Sequence, residues 1–146
     1  MMLLRDVVAD MDKFIHGEAK TQQWRFAHDS TILPFATLLG LFKDKDPLTS
    51  VHVDPHRRFR TSRMIPFAAN AVLALYDCPA QDAPWRIKLL WNEQEMVIPG
   101  CERDDPEQAL YCDYTRFRSS YADIVDEWKF EEVCGSRCAC AWGQYA

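Results

Sequence analysis

The sequence predicts a domain that mixes helices and strands, on three observations. Apolar residues recur at helical spacing over residues 2–15, a short aromatic run at 24–27 leads directly into a second helical pattern, and residues 85–91 alternate before a turn signal. With 146 residues, 48% hydrophobic and 12% aromatic, the chain suits one modest packed domain rather than a disordered segment.

Leu3, Leu4, Val7, Val8, Met11, Phe14 and Ile15 share one helical face, with charges on the other, and His16-Gly17 supplies a glycine stop. Residues 18–23 are a polar connection. Trp24 to Ala27 is too short for a helix and aromatic enough to be a buried strand. Asp29, Ser30 and Thr31 are all good N-cap residues, and Ile32, Leu33, Phe35, Ala36, Leu39 and Phe42 then recur at helical offsets. Pro34 is tolerated if it lies in the first turn.

Residues 43–63 read as a polar surface excursion with two prolines. Met64 to Cys78 is an apolar, alanine-containing run whose period fits a helix or a buried strand. Trp85 to Trp91 is a strand, Asn92-Glu93 a turn, and Gln94 to Ile98 its hairpin partner. A helix is expected around Tyr114 to Phe130, followed by a cysteine-rich tail over 134–146. There is no internal repeat and no low-complexity tract.

Seventeen basic residues against 22 acidic ones give a net charge of −5, so no general electrostatic attraction draws the chain to nucleic acid or an anionic membrane. Any anion-binding role must be local. No run approaches a membrane helix, and charges at Arg5, Asp6, Asp10, Asp12 and Lys13 break the N-terminal apolar positions too early for a signal-peptide core. Six cysteines, five of them in the last third, suggest an oxidising compartment. A disulfide-bearing protein normally enters the secretory path through a signal, so either the thiols are reduced or the chain lacks its true beginning.

His28-Asp29 stands between the short aromatic run and the second helix. Ligands of open α/β sheets bind at such junctions, and a helix N-terminus attracts phosphate through its unpaired N–H groups. His28 would then contact a phosphoryl group and Asp29 protonate the departing oxygen. Alternatively, Asp29 is only the N-cap and His28 a partly buried strand end.

A wider pattern bears on that choice. FAHDSTILPFATLLGLFKDKDPLT, HRRFRTSRMIPFAANAVLALYDC, KLLWNEQEMVIPGC and CDYTRF follow one another, and over about residues 1–121 this succession resembles the C-terminal part of the histidine acid phosphatases. The resemblance is nearest to the multiple inositol polyphosphate phosphatase branch, with its phytase-like enzymes. It implies a three-layer α/β fold with a mixed sheet (phosphoglycerate mutase-like), residues 64–78 as a strand, and a domain over 1–133.

The resemblance also implies phosphomonoester hydrolysis through a phosphohistidine, a covalent route that divides one difficult displacement into two easier ones. His28 takes the phosphate-contact role and Asp29 that of general acid, with no metal or organic cofactor. Many inositol polyphosphate phosphatases carry His-Ala-Glu here, whereas this chain has the His-Asp of the broader acid phosphatases. The family's nucleophile lies in an Arg-His-Gly-x-Arg-x-Pro motif in a chain several times longer. In these 146 residues no arginine is followed by histidine, and His16-Gly17 sits between Ile15 and Glu18. The chain alone is therefore expected to hydrolyse nothing at a useful rate. The rival is a catalytically silent relative acting as a binding or interaction protein.

The resemblance pairs Cys101 with Cys112 and points to the secretory lumen or the extracellular space. It assigns no phosphate-binding role to the basic stretch of His56, Arg57, Arg58, Arg60 and Arg63, which reads as a solvated loop. Cys134, Cys138 and Cys140 have Cys-x3-Cys-x-Cys spacing, unlike a zinc knuckle, so disulfides or free thiols are expected there. Cys78 has no assigned partner. The small-molecule phosphomonoester is the expected partner, and an unpaired sheet edge, where further chain would pair, is expected to promote association.

Overall fold

The computed structural model of the chain describes residues 2–18, 22–79, 84–127, 129 and 132. The expected cysteine tail, the boundary at 133 and the expected helix end at Phe130 lie outside the described residues. Helices packed on an antiparallel sheet give the α/β class.

Helix α1, Met2–Ile15, buries Leu4 and Val8 completely. It ends as its glycine predicts: Gly17 has φ +76° and donates to Phe14 O, while the Glu18 N–H reaches Lys13 O. Helix α2, Asp29–Leu38, ends the same way, with Gly40 at φ +73° donating to Thr37 O and the Leu41 N–H to Ala36 O. The pattern that suggested helix as far as Phe42 is thus cut four residues short. Leu39, Leu41 and Phe42 still pack on the core, but from the turn after the helix.

Pro34 also falls otherwise than expected. Because α2 starts at Asp29, Pro34 sits in its second turn and removes the bond an N–H there would give the Ser30 carbonyl.

The apolar run from Met64 divides. Residues Thr61–Met64 form a single helical turn, α3, and Ile65 to Asn70 is irregular, with Phe67 fully exposed. Only Ala71–Asp77 becomes strand, β1. Pro66 interrupts the run, and Ala68 at φ +61° turns the backbone into β1.

Strand β2, Trp85–Trp91, is the centre of the sheet. Its Ile87, Leu89 and Trp91 face the core with at most 2% exposure. β1 pairs along its whole length, from Ala71 opposite Trp91 to Asp77 opposite Trp85. Its other side is shared by β3, Gln94–Met96, and β4, Cys112–Asp113. Where the resemblance implies a mixed sheet, every pairing among the described residues is antiparallel. A parallel neighbour needs a crossover of a dozen or more residues, and β2 is joined to β3 by two.

Three contacts fasten the elements together, one from β2 to the end of α3 and two between helices. The Trp91 indole donates to Met64 O at 2.7 Å, the Tyr121 hydroxyl donates to Leu39 O at 3.1 Å, and Tyr114 donates to Asp12 of α1 at 2.8 Å. Tyr114 begins α5, Tyr114–Ser120, which stops at Tyr121 and continues as a π-helical turn over Asp123–Glu127. The single helix expected over 114–130 is therefore broken. Helix α4, Pro106–Ala109, is capped by Asp105, which accepts from the N–H groups of Glu107 and Gln108.

Cys101 and Cys112 form a disulfide with Cα atoms 5.3 Å apart, and both are 1% exposed. It ties β4 to the loop after β3, and a closed loop of this size stabilises by about 3 kcal/mol in the chain-entropy model. Beside it Asp113 is ion-paired with both Arg86 and Arg103. Cys78 is a half-buried free thiol.

Candidate functional site at the start of the second helix

Residues 22–28 carry the site and are not a buried strand. They are irregular and exposed throughout, with Trp24 at 77% and Phe26 at 93%. A strand persists only where its N–H and C=O groups find a ladder, and among the described residues no strand lies beside this segment. Arg25 instead forms an ion pair with Asp10 on α1, which fastens the segment to the body of the fold. Sequence reasoning did not single out this pair, since nothing local links two residues of opposite charge fifteen apart.

His28 itself, not Asp29, occupies the N-cap position of α2. Its backbone is extended (φ −86°, ψ 168°), and its carbonyl accepts from the N–H groups of Thr31 and Ile32 at 2.9 and 3.3 Å. Its side chain makes no capping bond and is exposed, so it is not a partly buried strand end. Asp29 is the first helical residue. Its carboxylate accepts from the Ser30 N–H at 2.7 Å and remains open to solvent, where an acid is favoured by the helix dipole.

The two side chains thus stand together on an open surface at a helix N-terminus. The geometry suits an anion held near the first turn, with an acid adjacent to it. Two clefts elsewhere on the fold do not include them. One, of about 480 Å³, lies beyond the far end of α2 and includes Leu41 and Phe59; the other, of about 260 Å³, lies between Asp12, Trp85 and Arg118.

Among the described residues no bond joins the basic stretch to His28-Asp29. The stretch folds on itself: Arg57 donates to Asp54 O, Arg60 to Arg57 O and Pro55 O, and Asp44 accepts the backbone N–H groups of Arg58 and Phe59 at 2.6 and 3.1 Å. Those backbone bonds, Arg58 first, hold the Asp44 carboxyl below its ordinary range. Among the described residues no three side chains of His, Cys, Asp or Glu gather as a metal site.

The chain belongs to the histidine phosphatase superfamily (branch 2), whose family model matches residues 2–97. A multiple inositol polyphosphate phosphatase 1 from Dictyostelium discoideum is 36% identical over 113 residues, which cover 75% of this chain and 17% of that protein. The protein of the same name from Homo sapiens is 30% identical over 143 residues, covering 90% of this chain and 28% of its own length. Phytase A of Aspergillus terreus is 30% identical over 83 residues, covering 55% and 18%. The chain therefore spans less than a third of the length of these curated relatives. No solved structure gives a significant match.

Proposed function

We propose that this chain is the acid-bearing part of a phosphomonoester hydrolase acting on inositol polyphosphates. The observation that carries the reading is the exposed His28-Asp29 pair at the N-terminus of α2, in a chain whose relatives are named multiple inositol polyphosphate phosphatase and phytase. In the first step a nucleophilic histidine, supplied from outside these residues, attacks phosphorus. The bond to the leaving oxygen breaks and Asp29 gives that oxygen its proton, while His28 and the first-turn N–H groups hold the phosphoryl oxygens. Water then attacks the phosphohistidine, Asp29 takes up its proton, and phosphate leaves with the histidine regenerated. No metal or organic cofactor takes part.

This division of labour makes the chain inactive by itself. Phosphate release from phytic acid by the purified 146 residues, abolished by Asp29→Asn, would overturn that. The role of Asp29 is tested in a chimera in which this chain replaces the matched part of the Homo sapiens relative. Asp29→Asn should lower kcat on phytate by about 10²–10⁴-fold, and should slow the p-nitrophenol burst from p-nitrophenyl phosphate far less, since that leaving group needs little protonation. An active chimera indifferent to Asp29→Asn rejects the assignment. The buried Cys101–Cys112 disulfide supports a place in the secretory lumen or outside the cell. No helix among the described residues is long and apolar enough to cross a membrane.

A further inference from the structure

The excursion between α2 and α3 carries two features that do not belong to the His28-Asp29 site. Its tip exposes Leu48, Val51 and Val53 at 53%, 94% and 63%. On either side of this tip stand Lys43 and Lys45, and Arg57, Arg58, Arg60 and Arg63. Residues 43–63 hold six basic against three acidic side chains, in a chain whose net charge is −5. Among the described residues none of those six cations is in an ion pair, whereas Arg25, Arg86, Lys88, Arg103 and Arg118 all are.

The segment has internal order. Asp44 ties its two limbs together through the N–H groups of Arg58 and Phe59, and the Arg57 and Arg60 guanidinium groups brace the backbone while keeping their charge. Behind the tip lies the cleft of about 480 Å³, with Leu41, Phe42, Leu48 and Phe59 supplying apolar surface and Lys43 and Lys45 beside them.

We propose that this excursion docks the protein on an anionic phospholipid surface, with Leu48, Val51 and Val53 entering the boundary between headgroups and acyl chains and the flanking cations meeting lipid phosphates. Apolar side chains between cations that outnumber the acidic groups of the segment two to one are what such a boundary accommodates, since it offers apolar depth and negative charge at one place. A protein interface would have to supply an acidic partner for each cation it buried, and desolvating such pairs carries a cost. A soluble polyanion would satisfy the cations and leave the three apolar side chains in water. The contact is peripheral and needs no spanning segment.

Liposome flotation of the full 146-residue chain tests this, because floating material is bound and not merely aggregated. The chain should float with phosphatidylcholine vesicles containing about 30% phosphatidylserine, not with phosphatidylcholine alone, and less as salt shortens the Debye length. Lys43→Glu with Lys45→Glu, two exposed cations whose side chains brace nothing, should lower partitioning about tenfold or more. The triple change Leu48→Ser, Val51→Ser and Val53→Ser should lower it comparably while leaving charge intact. All five positions are outside the core, so the unfolding midpoint of each variant should match the parent and exclude misfolding. Absence of flotation overturns the proposal and leaves the surface to another contact, such as the remaining length of a longer protein. Binding unchanged by the triple serine variant, together with equal capture by a heparin resin, also overturns it in favour of a sulfated polyanion.

Discussion

Tyr121 and Tyr114 are the side chains on which the helices turn. Tyr121 is 8% exposed and gives the Leu39 carbonyl its donor, joining the end of α5 to the end of α2. Burial pushes its phenol from the ordinary 10.0 up to about 12, and Tyr114 is raised too, by burial and then by its hydrogen bond to Asp12. As pH rises past 10 the unfolded chain loses these protons while the folded chain keeps them. The folded form then binds more protons than the unfolded one, so stability falls with pH. Urea midpoints should therefore be level up to about pH 9 and decline from about pH 10 to pH 12, with Tyr121→Phe removing part of the decline. At neutral pH the same variant should cost about 1–2 kcal/mol, because the Leu39 carbonyl is left without its donor. A midpoint insensitive to Tyr121→Phe at both pH values would show that the bond contributes nothing. Neither tyrosine stood out in the sequence, because the Tyr121 partner is 82 residues away. His28-Asp29 did stand out, since adjacency and a following helical pattern are local. That His28 takes the cap position was not legible, because Asp29, Ser30 and Thr31 are all better N-cap residue types and only backbone geometry decides.

The β2–β3 hairpin shows how a local signal becomes an element. Asn92 and Glu93 have φ of +48° and +66°, the doubly left-handed pair that matches the twist of adjoining strands. Asn92 suits its place: its Oδ1 accepts from the Asn70 N–H at 3.0 Å and its Nδ2 donates to Met64 O at 3.0 Å. Glu93 pays a left-handed cost with no such bond, so Glu93→Gly should stabilise by roughly 0.5–1 kcal/mol, and Asn92→Ala should destabilise by about 1–2 kcal/mol. Denaturant midpoints with unchanged slope measure both, and a loss of stability in Glu93→Gly would contradict the turn assignment. This hairpin was legible because alternation and turn chemistry agree within a dozen residues. Trp24 to Ala27 was not, although its composition is as strand-like as that of β2. Strand propensity expresses fit to a neighbouring surface, and these residues have no neighbouring strand among those described. The division of residues 64–78 has a similar origin, since Pro66 and a left-handed Ala68 end what apolarity alone would continue.

At the scale of the molecule, the central β2 is covered on both sides and β1 is covered on one. Among the described residues β1 pairs only with β2, and its Val72 and Tyr76 are 46% and 41% exposed. Trp24 and Phe26 add further exposed apolar surface on the segment that leads to His28. The family relatives run to more than three times the length matched here, so a longer protein has ample chain to lie along this edge. A chain of 146 residues by itself has only other copies. An edge strand with free N–H and C=O groups and apolar side chains is a template for pairing, and a lysine on such a strand opposes it through charge repulsion and desolvation. The parent chain should therefore show a sedimentation coefficient that rises with concentration, and Val72→Lys should shift it toward the monomer. Val72 lies opposite Leu90 and is already partly in water, so the substitution should leave the unfolding midpoint within about 0.5 kcal/mol of the parent. Ser30→Lys, an exposed substitution away from β1, adds the same charge elsewhere and separates edge pairing from a general effect of charge. Equal suppression by both variants would assign association to surface charge, and a parent chain monomeric at every concentration would show that this edge does not recruit a second copy.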